Sequence, residues 1–243
     1  MFGNVGPIYR ITVREIFKLS YLWYINIFGL VAAETLPAFG LFHFGSSMAG
    51  VLEILQSCLF FTIFISVLTV CYTLFGKELY YKMALTLFTK PVSRTTILIA
   101  KYFALISVIS VCVLTQGLWL MKQIIYLGWN VQQIILALAA IWNVFLLGGM
   151  LLSLALAFTL YIGPLAAVFL TVIATVTSFL LPETALYIAS PLIPAIPWMD
   201  LNAMIYKNIP LTFKYFSSQT LYAVAYSSWM LFLCSERLKR LQF

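Results

Sequence analysis

Residues 76–101 read GKELYYKMALTLFTKPVSRTTILIAK, a basic segment wedged between two long apolar runs, 51–75 and 95–121. A helix needs about 20 apolar residues to cross the hydrocarbon core of a bilayer. The segment therefore separates two spans, and it is where a water-soluble partner can grip the chain. Working outward, further apolar runs occupy 21–42, 134–160, 164–181 and 220–234, which predicts six spans, the last completed by 211–216. A β-barrel would show alternating apolar and polar residues in segments of about ten, and no such alternation is present.

Composition points the same way. The chain is 63% hydrophobic and 9% charged over 243 residues, with a mean hydropathy of +1.04, whereas soluble domains hold about 45–50% apolar and about 25% charged residues. No fixed-period repeat and no low-complexity linker divides it. The expected fold is an all-α membrane protein of one domain, 1–243, with an interfacial helix in 1–20, a cytoplasmic loop in 76–94 and an outer segment in 182–219.

Short loops rich in Lys and Arg stay on the cytoplasmic side. Arg10, Arg14 and Lys18 precede the first run, Lys77, Lys82, Lys90, Arg94 and Lys101 flank the second loop, and Arg237, Lys239 and Arg240 follow the last. Those are eleven of fourteen cations, so both termini are expected in the cytoplasm. The net charge of +7 then reflects topology and anionic lipid head groups; nucleic acid is not an expected partner, because the charges do not cluster with aromatics on a polar domain. The first run followed by Val31-Ala32-Ala33 loosely resembles a signal peptide, but the long charged region before it favours a retained span.

In the first twenty residues Tyr9, Val13, Ile16 and Phe17 share one helical face, while Arg10, Arg14 and Lys18 stack on another. Such a helix lies in the membrane interface, its basic side toward lipid phosphates. In the loop, Leu79, Met83 and Leu87 on one side and Tyr80, Ala84 and Phe88 on the next are too apolar for a solvated helix, so lipid or protein must cover them. Pro91 ends that helix. Between spans four and five a tight turn is expected at Tyr161-Ile162-Gly163-Pro164, and Gly148-Gly149 permits close helix approach. Prolines at 182, 191, 194, 197 and 210 argue for short outer helices or a re-entrant element in 182–219, read either as a lid over a substrate path or as a compact outer loop. Trp129 is expected as an interfacial anchor.

Catalytic and metal constellations are not expected. There is one histidine, His43, and the acidic residues are dispersed; Cys58, Cys71, Cys112 and Cys234 lack metal or redox spacing and read as small packing residues. The phosphate-cradling GxxxxGK[ST] loop is absent, so a pump built on this chain needs its ATPase on another polypeptide. Glu34, well inside the first apolar run, and Glu53, near the start of the second, are substrate-path candidates, since carboxyl groups at membrane depth are expensive and usually face a cavity or a partner.

The KPVSR string at 90–94, the acidic Glu78 before a short loop helix, Lys101, and the basic-aromatic tail after the last run together resemble the permease subunits of the ABC-2 type ABC transporters. Many members carry Gly-Thr-Leu-Glu where this chain has Lys82-Met83-Ala84-Leu85. The resemblance implies that 78–89 is a coupling helix seated in a groove on a separate nucleotide-binding subunit, with Glu78, Leu79, Tyr80, Met83, Leu87, Phe88, Lys90, Pro91 and Arg94 as its contact set. It also implies two copies of that ATPase, which bind ATP and Mg, a second permease chain that is identical or homologous, and export of a hydrophobic or amphipathic substrate across a bacterial inner membrane. A haem-exporter-like permease of cytochrome c maturation shares the loop layout, and a six-span scaffold without transport is the reading from a different class.

Overall fold

The computed structural model of the chain describes residues 5–38, 48–76, 93–126, 128, 130–199 and 212–240. All regular structure among these residues is helical: α1 (Val5–Phe17), α2 (Ser20–Ala38), α3 (Met48–Val70) with a π-helical turn (Cys71–Gly76), α4 (Arg94–Tyr126), α5 (Val131–Tyr161), α6 (Pro164–Leu180), α7 (Glu183–Ala189), a 3-10 turn (Ile196–Met199) and α8 (Phe213–Arg240). The loop residues Glu78, Leu79, Tyr80, Met83, Leu87, Phe88, Lys90 and Pro91 lie outside the described residues, as do His43 and Trp129.

Local chemistry sets the helix limits. Ser93 caps α4 by accepting the Thr96 N–H at 3.2 Å. Asn130 and Gln133 form a reciprocal capping box at the start of α5, which satisfies two of the donors a helix N-terminus leaves unpaired. Between α5 and α6, Gly163 has φ of +112°, a conformation open to a residue without Cβ, and Pro164 enters the first turn of α6 where its missing N–H costs nothing. The expected tight turn stands there. α1 buries Thr12 and Ile16 and packs chiefly on α4, with the Tyr9 hydroxyl 2.8 Å from Ser107 Oγ. Arg10, Arg14 and Lys18 are exposed. Of the apolar face, Ile16 is buried, while Phe17 is exposed and packs on the Trp23 ring at 5.5 Å.

Cross-helix contacts fix the directions. Tyr21 meets Thr73 and Gly29 faces Thr62, so α2 and α3 are antiparallel. Asn26 bonds Thr115 and Glu34 bonds Gln123, so α2 and α4 run together. Gly117 faces Ile141 and Tyr102 reaches the Gly149 carbonyl, so α5 opposes α4; α8 runs with α5, from Trp142–Thr220 to Tyr161–Arg237. α2 to α6 and α8 thus alternate through the bundle. α5 is its centre, buried at nearly every position from Leu136 to Leu160, as expected of a helix that is apolar all round. Close approach at Gly148 is met: a Cβ there would sit 2.9 Å from Ile63 Cγ2 on α3.

Among the described residues, three helices are long and apolar enough to cross a membrane, at Gln56–Thr73, Arg94–Gln123 and Val131–Tyr161, and α1 with α2, bent by 62° at their break, makes a fourth if the pair is one span. Outward faces are apolar: Leu165, Phe169, Ile173, Val176 and Leu180 on α6 are all exposed. The chain is therefore an all-α membrane protein. Of the six expected spans, α6 has 17 residues and α8 is diluted by Ser, Thr and Gln; neither meets the length and hydropathy test alone.

Candidate functional site

Alternation gives the bundle two chemically distinct ends. At one end stand Lys18 before α2, Arg94 at the start of α4 and Arg237, Lys239 and Arg240 at the end of α8. Arg94 Nη1 donates to the Leu238 carbonyl at 2.8 Å, tying α4 to the tail of α8. Lys101, two turns further along α4, is buried under α1, where its charge faces Glu15. Lys239 donates to Glu236 at 2.6 Å, and that hydrogen bond holds the Glu236 carboxyl below the usual carboxylate range. Both flanks of segment 77–92, the π turn and Ser93, emerge at this basic end.

At the far end, the segment after α6 folds back as a cap. Six side chains hold it by its backbone. Ser178 Oγ donates to the Pro194 carbonyl at 2.6 Å and accepts from Ile196 N–H at 3.0 Å. Tyr222 accepts from Ala195 N–H at 2.9 Å, and Tyr226 donates to the Leu192 carbonyl at 3.0 Å. The Trp198 carbonyl accepts from Gln219 at 2.7 Å and from Tyr215 at 3.1 Å. Asn143, fully buried on α5, donates to the Met199 carbonyl and to Gln219 Oε1, each at 3.0 Å. Irregular backbone at membrane depth survives only where protein satisfies its polar groups, and these residues do so.

Under the cap lies a cleft of about 180 Å³. Its α3 wall is Gln56, Ser57, Phe60 and Phe61, its α5 wall Val144 and Leu147, its α6 wall Phe179, and its roof Ile196 and Met199 from the cap. Among the described residues, no charged one lines it. Phe60 and Phe179 meet edge to face with centroids 6.4 Å apart, a favoured aromatic geometry. Gln56 Oε1 is buried and has no hydrogen-bond partner among the described residues.

A second polar knot joins α2, α3 and α4. Gln116 Nε2 donates to Asn26 Oδ1 at 2.9 Å, Asn26 Nδ2 donates to Thr115 Oγ1 at 3.1 Å, and Gly29 leaves room for Thr62 and Gln116 beside it. Asn26, Thr62 and Gln116 are all buried; the bonds tie α2 to α4 in an environment that gives helices little apolar drive to associate, while Thr62 donates to the Cys58 carbonyl of its own helix and brings α3 in by close packing at Gly29.

Of the sequence-derived site residues, Arg10, Arg14 and Lys18 are exposed on and just after α1, which lies along α4 with Tyr9 against Ser107, and Arg94 opens α4 at the basic end. Glu34 is exposed near the end of α2, where its Oε2 accepts from Trp119 Nε1 at 3.0 Å and Gln123 Nε2 at 2.5 Å; Lys122 sits 4.2 Å from the Trp119 ring centre. Glu53 is half-buried, one turn before Gln56. Neither carboxylate lines the cleft. Sequence reasoning passed over Gln56, Asn143 and Ser178, although the signal was there: an amide or hydroxyl inside an apolar run is costly to bury without a hydrogen-bond partner. All four cysteines are free thiols, three of them buried. Among the described residues no cluster of His, Cys, Asp and Glu is placed to hold a metal. No protein-family model matches this chain, and no curated protein matches it.

Proposed function

We propose that the chain is the transmembrane permease subunit of an ATP-driven ABC transporter of the ABC-2 type, with six spans and both termini in the cytoplasm of a bacterial cell. It exports a hydrophobic or amphipathic substrate, and ATP hydrolysis, with Mg, belongs to a separate subunit present in two copies beside a second permease chain. The observation that carries the reading is the geometry of the basic end. The segment 77–92 leaves from the end of α3 and returns into the start of α4, and Arg94 at its return is bonded to the last turn of α8. A push on that segment bears on α3 and α4 directly and on α8 through one charge-assisted hydrogen bond. The positive-inside rule puts this end in the cytoplasm, where ATPases are. Gripping the apolar face of Met83 and Phe88 by a groove on the ATPase couples nucleotide-driven closure to helix movement.

The test is affinity purification from native membranes in mild detergent. Wild-type protein retains a partner that carries a phosphate-binding loop and shows ATPase activity; Met83→Glu with Phe88→Glu loses that partner while eluting as a monodisperse membrane protein. Retention of the ATPase by the double variant refutes the assigned surface. Absence of any nucleotide-binding partner from the wild type favours the scaffold reading.

A further inference from the structure

We infer that the outward face shared by α2 and α4, at the end of the bundle away from the basic one, binds one phospholipid with a primary-amine head group, its ammonium on the Glu34 carboxylate and its phosphate on Lys122. Three observations converge there. The first is a pair of opposite charges held apart. Glu34 Oε2 accepts from Trp119 Nε1 at 3.0 Å and from Gln123 Nε2 at 2.5 Å, and the Lys122 ammonium sits over the Trp119 ring at 4.2 Å. One indole thus positions both exposed side chains, yet among the described residues neither Glu34 nor Lys122 enters an ion pair. A zwitterion laid across the indole makes two charge-assisted contacts that these side chains do not make with each other.

The second observation is what lies below each charge. Glu34 ends an exposed stripe of α2 through Ile27 and Val31, and Lys122 ends one of α4 through Leu114 and Leu118, at helical i, i+3 and i+4 spacing. At 1.5 Å per residue these stripes run about 10–12 Å from the charges, most of the ~15 Å that one leaflet gives to a ~30 Å hydrocarbon core. Because α2 and α4 run together, an acyl chain lies along both stripes while its head group reaches both charges. The third observation is Trp119 itself, a residue type enriched at head-group level. The carboxylate then selects the head group. A primary ammonium donates hydrogen bonds to it, whereas a quaternary one has no N–H to give, and Lys122 already covers a face of the Trp119 ring on which it would stack. A head group without a cation leaves Glu34 facing an anion. The site stands whether or not an ATPase drives the protein.

The experiment is native mass spectrometry of the purified full chain, titrated with lipids of identical acyl chains: phosphatidylethanolamine, its N-methyl and N,N-dimethyl derivatives, phosphatidylcholine and phosphatidylglycerol. Phosphatidylethanolamine is expected to bind first, and affinity to fall with each methyl, about fivefold by phosphatidylcholine; phosphatidylglycerol binds weakest. Glu34→Gln, which keeps an acceptor for Trp119, abolishes the difference between ethanolamine and choline lipids. Lys122→Gln weakens both alike, and Lys239→Gln at the other end changes neither. Phosphatidylethanolamine with a diazirine in its acyl chain cross-links to Val31, Leu114 and Leu118. Equal binding of all head groups, a preference that survives Glu34→Gln, or cross-links confined to other helices overturns the inference. Displacement of the lipid by soluble phosphoethanolamine gives the site to a soluble ligand, and cross-links between two copies through α2 and α4 give the face to a second chain; either overturns it too. The methylation series and the cross-link map use the unaltered chain, so they decide the matter even if a variant fails to fold.

Discussion

Gly29→Ala tests the polar knot between α2, α3 and α4. A Cβ at position 29 would lie 2.2 Å from Thr62 Oγ1, 2.6 Å from Gln116 Nε2 and 3.1 Å from Thr62 Cγ2. Thr62 cannot yield cheaply: it is buried, stiff at χ1, and its hydroxyl is bonded to the Cys58 carbonyl at 2.8 Å. Gln116 can swing away, but only by giving up Asn26. Overpacking costs about 1–3 kcal/mol, the lost amide bond about 0.6 kcal/mol in a membrane protein, and alanine returns about 1 kcal/mol of helix propensity. The net expectation is destabilisation by about 1.5 kcal/mol. In a Thr62→Ala background the two Thr62 contacts vanish and only the flexible Gln116 terminus remains, so the same substitution should cost about zero. A double-mutant cycle read by equilibrium unfolding in mixed micelles measures the difference. If Gly29→Ala stabilises the wild type, or costs the same in both backgrounds, then α2 and α3 do not approach as described.

The cap makes a second prediction: Asn143→Leu removes the donor from both the Met199 carbonyl and Gln219 Oε1, which should cost about 2 kcal/mol and open 190–199 to limited proteolysis; a cap that stays protease-resistant argues that its other five anchors suffice. The topology makes a third: in a variant lacking the native cysteines, Lys18→Cys and Arg240→Cys should label with a membrane-impermeant maleimide only after the cytoplasmic side is opened, and Asn130→Cys from the opposite side. Labelling of positions 18 and 240 from opposite sides rules out six spans.

Much of the fold was legible because hydropathy over about 20 residues reports the one constraint that dominates in lipid, an internally bonded backbone. The positions of α3, α4 and α5 follow from it, whereas the glycine-proline turn before α6 and the close approach at Gly148 were legible from the backbone geometry and small size of those residues. The cap was legible as irregular backbone from its prolines, but not as a structure with six anchors, because those bonds join residues such as Ser178 and Pro194, or Asn143 and Met199, whose pairing depends on how α5, α6 and α8 pack. The cleft was illegible for the same reason: Gln56 and Phe179 are far apart in sequence, and a phenylalanine facing a cleft is indistinguishable in composition from one facing lipid. Charged residues drew attention that uncharged amides merited more. Glu34 is held by Trp119 and Gln123 near the end of its helix, away from the cleft.

The reading of six spans depends on α6 and α8, the two helices that hydropathy alone leaves out, and their shortfalls have different physical sources. At 17 residues, α6 is about 26 Å long against a hydrocarbon core of about 30 Å. The cap supplies the missing length, since Ser178 in its last turn bonds Pro194 and Ile196 and so extends the protein wall beyond the helix. In α8 the deficit is polarity. Its Ser217, Ser218 and Thr220 hydroxyls donate to the carbonyls of Lys214, Tyr215 and Phe216 on their own helix, while Gln219 is buried against Asn143 and the cap. A hydroxyl bonded to its own backbone presents little unsatisfied polarity to lipid. On the six-span reading, these bonds lower the cost that the low average hydropathy of α8 implies, and its outward Leu221, Val224, Trp229 and Phe232 are the side chains offered to hydrocarbon.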